Sequence, residues 1–461
     1  MTSGIILNAF VSPVGHHFSA WRHPVSQPER TLDIDYFANI ARTAERGKLQ
    51  SLFLADALGG GGQGNGTAGG LEPLTLLSAL AAVTEHVGLI ATASTTFSDP
   101  FNLARAFASL DHISKGRAGW NIVTTANVDA AVNFSKDGVS HAGRYVRAHE
   151  FLEVVTSLWD SWEDGAQTFD KALGDRVDGG KIHAINHVGK EFRVKGPLNS
   201  PRSPQGWPVL VQAGSSDDGM AFAARHAEAI FTAQQTLEDA QAFYSGIKSR
   251  VAAAGRDPAS VKVLPGLSAF IGSTEAEAHR IRDELDDIAV PPTGPVPLRG
   301  SNGVDLSMFP LDEPLPLDQL PDESQWEGNR SRFALIIGIA RRENLTVRQI
   351  LRRLAGARGH YVMAGTPEQV ADLIETWIRE GAADGFNVMP PLYPSQFEVF
   401  VDEVVPILQR RGLFHLDYEG STLRENYGLL RPVSRFANRP SDRDIEEGQS
   451  RRHDLGMVAG G

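Results

Sequence analysis

The sequence predicts an α/β fold, a (β/α)8 TIM barrel with insertions, and three observations point to it. Eight short apolar runs recur along the chain. Each is followed, at once or after a longer loop, by a helical pattern. The small polar residues gather at the C-terminal ends of the runs, where a barrel of this kind keeps its chemistry. A doubly wound open sheet is the structural alternative.

The runs, in order, are IILNAF from Ile5, SLFLAD from Ser51, VGLIATAS from Val87, AGWNIVT from Ala118, PVLVQAG from Pro208, AIFTA from Ala229, VKVLPG from Val261 and GFNVMP from Gly385. The clearest helix is TPEQVADLIETWIREG. Val370, Leu373, Ile374, Trp377 and Ile378 fall at i, i+3, i+4, i+7 and i+8, which is a single apolar face. Thr366 suits its N-cap, Pro367 its first turn and Gly381 its end. One barrel domain is expected over residues 1–435, with insertions near 59–70 and 270–360 and a polar tail over 436–461. Gly59 to Gly70 holds eight glycines in twelve positions and reads as a mobile connection. It is no Walker loop, because no Gly-Lys-Ser/Thr follows. Pro291 to Pro321 holds eight prolines in thirty-one positions, the composition of a lid-type insertion.

Composition narrows the function. The chain has 461 residues, 41% of them hydrophobic, enough for a sizeable core. A net charge of −12 argues against nucleic acid or an anionic membrane as partner. Without cysteine there is no disulfide, thiolate nucleophile or thiolate metal site. A cytoplasmic protein is expected: the start MTSGIILNAF lacks the pattern of a signal peptide, and no apolar run approaches the roughly 20 residues of a membrane span.

The strand ends carry hydroxyls, amides and glycines rather than fixed charge. The second run ends in Asp56, the third near Thr92, Ser94, Thr95 and Thr96, and the fifth in Gly214, Ser215 and Ser216. The fourth carries Asn121, Thr124 and Thr125. A carboxamide inside an otherwise buried strand needs a partner. A glycosidase would show facing carboxylates and a metallohydrolase several His and Asp ligands; neither pattern is present. Such a rim suits a neutral, many-atom ligand such as a cofactor ring, although each hydroxyl alone could simply cap a helix. Two helix starts suit an anion. One is HAGRYVRAHEF, where His141 and Tyr145 share a face; the other follows QAGSSDDG, with Ser215 and Ser216 as donors. His16, His17, Trp21, Arg22 and His23 cluster after the first run. Their spacing is poor for a metal, so no metal site is expected, and they read as an aromatic and cationic wall to a pocket.

In order and spacing, AWRHP, LFLAD, ATASTTFSDPFNLARAFASLDHISKGRAGWNIVTT, HAGRYVRAHEFLEVVTSLWDSW, VLVQAGSSDDGMAFAARHAEAIF and YEGSTLRENYGL resemble the flavin-dependent monooxygenases of the bacterial luciferase superfamily. The likeness runs from about Leu7 to Leu429 and is greatest for the branch of nitrilotriacetate, dibenzothiophene-sulfone and long-chain alkane monooxygenases. The resemblance implies a barrel that takes up reduced FMN (FMNH2) from a separate NAD(P)H-dependent flavin reductase. It also implies reaction with O2 through a C4a-peroxyflavin and oxygenation of a small organic substrate at a sulfur, nitrogen or carbon centre. It places Asp56, Ser94 and Asn121 near the flavin ring and ribityl chain, and His141, Tyr145, Ser215 and Ser216 at the phosphate. His17 and His141 are the candidates for proton transfer or substrate orientation. The Gly-rich loop and the Pro-rich insertion become lids over the flavin. A homo-oligomer, dimer or tetramer, is expected. A deazaflavin-dependent oxidoreductase of the same superfamily and a non-catalytic flavin-binding protein are the alternatives.

Overall fold

The computed structural model describes residues 4–58, 70–125, 128–135, 140–214, 216–289, 309–320, 337–338, 340–357 and 359–437. Eight parallel strands close into a barrel: β1 (Ile6–Val11), β2 (Ser51–Leu54), β3 (Gly88–Ser94), β4 (Ala118–Val123), β5 (Val209–Gln212), β6 (Ala229–Thr232), β7 (Lys262–Ile271) and β8 (Gly385–Val388). They follow one another around the barrel in chain order. Closure comes from β8 lying against β1, with Ile6 opposite Gly385 and Ala9 opposite Val388. All eight are the runs expected from the sequence. The helices that cover them are α1 (Ile34–Arg46), α2 (Pro73–Ala81), α3 (Pro100–Ile113), α4 (His141–Asp160), α5 (Asp217–His226), α6 (Leu237–Ala253), α7 (Glu275–Ala289), α8 (Val347–Ala357) and α9 (Pro367–Arg379). Helix α9 has the expected start, Thr366 and Gln369 forming a capping box, and Gly381 at φ 69° follows its end.

Three features were not expected from the sequence. Strand β7 is ten residues long, and its outer half pairs with an additional strand, Tyr361–Gly365, outside the barrel. Two short antiparallel hairpins, within residues 167–177 and 187–194, stand between α4 and β5. The helix after β8, from Ser395 to Arg410, widens to i→i+5 bonding over Phe400–Val404. Pro406 lies just beyond; it has no N–H to give the turn before it, which accounts for the widening. Residues 59–69 of the Gly-rich loop, and 291–308 and 321 of the Pro-rich insertion, lie outside the described residues. The described part of the insertion packs Leu315 with Val347, Ile350 and Leu351 of α8 in a small apolar cluster of its own.

The barrel interior alternates with its exterior as the pleat requires. Ile6, Phe10, Phe53, Ile90, Val209, Val211, Ala229, Phe231 and Leu264 point inward. The base is plugged by the chain's return: Leu423 and Tyr427 enter the same cluster. Tyr427 donates its hydroxyl to Asn8 (2.8 Å), Asn8 donates to Asn387 (3.0 Å), and Asn387 donates to the Leu264 carbonyl (3.1 Å). Glycine makes room for the plug. A Cβ on Gly119 would lie 3.2 Å from Leu423, and one on Gly88 closer still. Arg424, 1% exposed, anchors the plug through Glu228 and the carbonyls of Trp207 and Leu430. Among the described residues no helix is long and apolar enough to cross a membrane.

Helices α4 and α5 are tied by an imidazole pair, His149 Nδ1 to His226 Nε2 at 2.8 Å, wedged against Phe222. Burial holds both rings below the ordinary histidine value, His226 at about 4, and the Arg225 charge pushes each the same way. His226 also feels His149 and Arg256. One neutral ring donates and the other accepts; two protonated rings could only donate.

Two expectations follow. Leu423→Ala should destabilise the protein by about 2–5 kcal/mol. Combining it with Gly88→Ala should cost less than the sum, because the new methyl enters the vacated space; additive losses in denaturant titrations would contradict the plug. Because His226 titrates at about 4 when folded against 6.5 when free, the unfolded chain binds more protons between those values. Stability from this pair is therefore full above pH 6.5 and lost as pH falls towards 4. Melting curves of His226→Gln should show a shallower pH dependence in that window than the parent; parallel curves would refute the pairing.

Candidate active site

The mouth of the barrel has an aromatic floor and a rim of acceptors. Phe10, Phe53 and Phe231 meet edge to face at 5.0–5.6 Å. The His16 ring stacks on Phe10 at 4.8 Å and the His360 ring on Phe231 at the same distance. Above this floor Asn121 donates to the Thr92 hydroxyl (2.8 Å), while its own buried Oδ1 meets no donor among the described residues. The same holds for Oε1 of Gln212, the last residue of β5, and for Oε1 of Gln235, just beyond β6. An unmet buried carbonyl costs about 1–3 kcal/mol. Three at the ends of three consecutive strands mark a place for a ligand that brings N–H or O–H donors. Among the described residues no group of His, Asp or Glu could hold a metal.

Beside the rim, two helix starts converge. Ser140 caps α4 by accepting from Gly143 N, and Ser216 caps α5 by accepting from Gly219 N (3.2 Å). The capping role weighed for these hydroxyls is real, but a hydroxyl that accepts keeps its own proton to donate. Tyr145, on the second turn of α4, is buried and reaches across to α5. A Cβ on Gly219 would lie 3.0 Å from its hydroxyl, and one on Gly214 3.3 Å from it and against the Gln212 amide. Only glycine at these two positions leaves room for the Tyr145 hydroxyl and the Gln212 amide. The dipole of α5 favours an anion there, and Asp217 and Asp218 on its first turn oppose one. The residues thus fit FMN: an anion cradle between β4 and β5, then acceptors for ribityl and ring donors. Barrels more often bind phosphate after strands seven and eight.

The other sequence candidates fall as follows. Ser94 accepts from the Thr125 hydroxyl (2.8 Å) and from Thr96 N, stitching β3 to β4. Asp56 follows β2 and accepts from Ala57 N. The residue is exposed, yet crowding around the carboxyl pushes its pKa up, the Ala57 bond opposes this and Glu72 adds to it. Ser215 and the His141 side chain lie outside the described residues. Both His17 nitrogens are engaged: Nδ1 accepts from Ser19 N, so Nε2 carries the proton and donates to Asp286 (3.1 Å). Arg22 donates to the Ile288 carbonyl and His23 lies 3.8 Å from Glu284. These three residues therefore grip α7, whereas the sequence reading made them a pocket wall. Trp21 is exposed. Sequence reasoning missed Gln212 and Gln235. The signal was present, a carboxamide closing an apolar run, as at Asn121.

A family model described as luciferase-like monooxygenase matches residues 15–384. N-acetyl-S-(2-succino)cysteine monooxygenase of Bacillus subtilis (strain 168) is 50% identical over 436 residues, covering 94% of this chain and 98% of that protein. Nitrilotriacetate monooxygenase component A of Aminobacter aminovorans is 51% identical over 438 residues, covering 92% and 96%. Among solved structures, DmoA from Hyphomicrobium sulfonivorans superposes with a TM-score of 0.83 at 34% identity, covering 96% of this chain and 98% of that one. With the barrel closed, the mouth lined by acceptors and the likeness extending over nearly the whole chain, this protein belongs to the luciferase-like monooxygenase family.

Proposed function

We propose that the chain is the oxygenating component of a two-component, FMNH2-dependent monooxygenase. The observation that carries this reading is the convergence of the Tyr145 hydroxyl on Gly214 and Gly219 at the start of α5. Tyr145 and Ser216 would hold the phosphate, joined by Ser215 and His141 on the sequence assignment. Gln212, beside them, would accept from a ribityl hydroxyl. Asn121, with Ser94 and Asp56, would face the ring. Reduced FMN supplies the electrons that activate O2, so that one oxygen atom enters the substrate and the other leaves as water. The chain's own part is to bind, orient and keep water out. The described mouth offers no carboxylate pair or metal group for hydrolysis, and its aromatic floor is a dry support. His17, with both nitrogens engaged, acts by holding α7 in place. A separate NAD(P)H-dependent flavin reductase supplies the reduced flavin; the Aminobacter relative is itself named as a component A.

Two relatives near 50% identity support a substrate class. Nitrilotriacetate and N-acetyl-S-(2-succino)cysteine are both small polycarboxylates built around a nitrogen or sulfur centre. A substrate of that class, oxygenated at or beside the heteroatom, is the reading best supported.

With FMN, NADH, a generic flavin reductase and 18O2, the protein should convert at least one of these two compounds and place a single 18O atom in the product. Consumption of NADH with peroxide as the only product would contradict the assignment. Tyr145→Phe should weaken FMN binding roughly ten- to a hundredfold, the loss of one bond to a charged group, with an unchanged melting temperature. An unchanged FMN titration would remove Tyr145 from the phosphate site.

A further inference from the structure

Gln235 stands apart from the cradle. It follows β6, is 8% exposed, and ties its Nε2 to the Gly359 carbonyl at 3.1 Å. That bond fixes the amide plane, and Oε1 is left buried with no donor among the described residues. The neighbour of Gly359 is His360, whose ring lies on the inward-facing Phe231. The Gln235–Gly359 tie therefore sits at the barrel mouth on its β6–β7 side. Tyr145, Ser216, Gln212 and Asn121 occupy the β4–β5 side. A site built this way has two ends, one for the cofactor's anion and one for something else that must bring a donor.

We propose that Gln235 is a specificity-determining residue whose carbonyl oxygen accepts an N–H of the substrate. The inference rests on the substrate class proposed above and sharpens it. Carboxylates only accept, so a polycarboxylate can satisfy Gln235 solely through an N–H, as an amide or a protonated amine. Alkanes and sulfones bring no donor and would leave the buried oxygen unmet. Sites with a fixed acceptor reject such analogues strongly.

The test is a cycle between one residue and one atom. The probes are N-acetyl-S-(2-succino)cysteine and its isosteric ester, in which oxygen replaces the amide N–H. The proteins are the parent and Gln235→Met, which keeps the length and removes the amide. In the parent, exchanging N–H for oxygen should raise KM about ten- to a hundredfold with kcat little changed. In Gln235→Met the amide's KM should rise to the ester's level and the ratio should fall to near one. FMN affinity, read by fluorescence quenching, should be the same in both proteins. A residue that merely supported the loop at Gly359 would move both probes equally, and that result overturns the inference. So does a shift in FMN affinity with an intact KM ratio, which would make Gln235 a cofactor contact. Should Gln235→Met fail to fold, the parent alone decides, because a ratio near one there excludes an N–H contact. If the parent turns over neither this probe nor nitrilotriacetate, the substrate class itself is wrong and the inference falls with it. Turnover with an unchanged ratio refutes the inference alone.

Discussion

The pairing of β8 with β1 closes the sheet, and everything functional in this protein depends on that closure. An open sheet would leave Phe10 and Phe53 on β1 and β2 far from Phe231 on β6, and the aromatic floor would not form. Closed, the barrel brings Asn121, Gln212, Gln235 and His360 to one mouth. Closure demands a filled interior. Phenylalanines fill the upper layer, while the returning C-terminal segment fills the base with Leu423 and Tyr427. The chain of hydrogen bonds from Tyr427 through Asn8 and Asn387 to the Leu264 carbonyl satisfies the polar groups sealed below the floor. Burial pushes the Tyr427 phenol upward, so it remains a neutral donor. Stability is concentrated at the base, and the mouth is free to keep unmet acceptors.

That division explains the chemistry of the rim. A fold tolerates a few unsatisfied carbonyls when a ligand completes them. Here Gln212 lies beside the Tyr145 hydroxyl, for which only glycine at 214 and 219 leaves room. Helices α4 and α5 are held together by the His149–His226 pair, so their spacing depends on neutral imidazoles. The N-terminal loop is held in a similar way: His17, Arg22 and His23 grip α7, which leads into the insertion.

Much of this was legible in the sequence. Eight apolar runs gave eight barrel strands because a fully buried parallel strand leaves a continuous apolar signature. Thr366 and Pro367 announced the start of α9. Asn121 stood out because a carboxamide within such a run is costly. The additional strand Tyr361–Gly365 escaped, since its pairing depends on the unusual length of β7, a long-range property. The two hairpins escaped because their strands are short and exposed and carry little periodicity. Tyr145 was legible as a face-sharing partner of His141, but its reach to Gly219 was not, because the contact spans two helices. Gln212 and Gln235 were overlooked because a glutamine closing an apolar run, although a signal, also looks like ordinary solvation; their burial shows which oxygens are unmet. The partner of His17 lies 269 residues away, beyond any local pattern.

The central claim is that the two converging helix starts recognise a phosphate. It is tested most directly by comparing the affinities of FMN and riboflavin, which differ only in that group, by fluorescence quenching at fixed pH and salt. Two or more bonds to a charged group should favour FMN by at least about a hundredfold. Gly219→Ala, whose methyl would press on the Tyr145 and Ser216 hydroxyls, should erase most of that preference. Equal affinity for FMN and riboflavin in the parent protein would contradict the account.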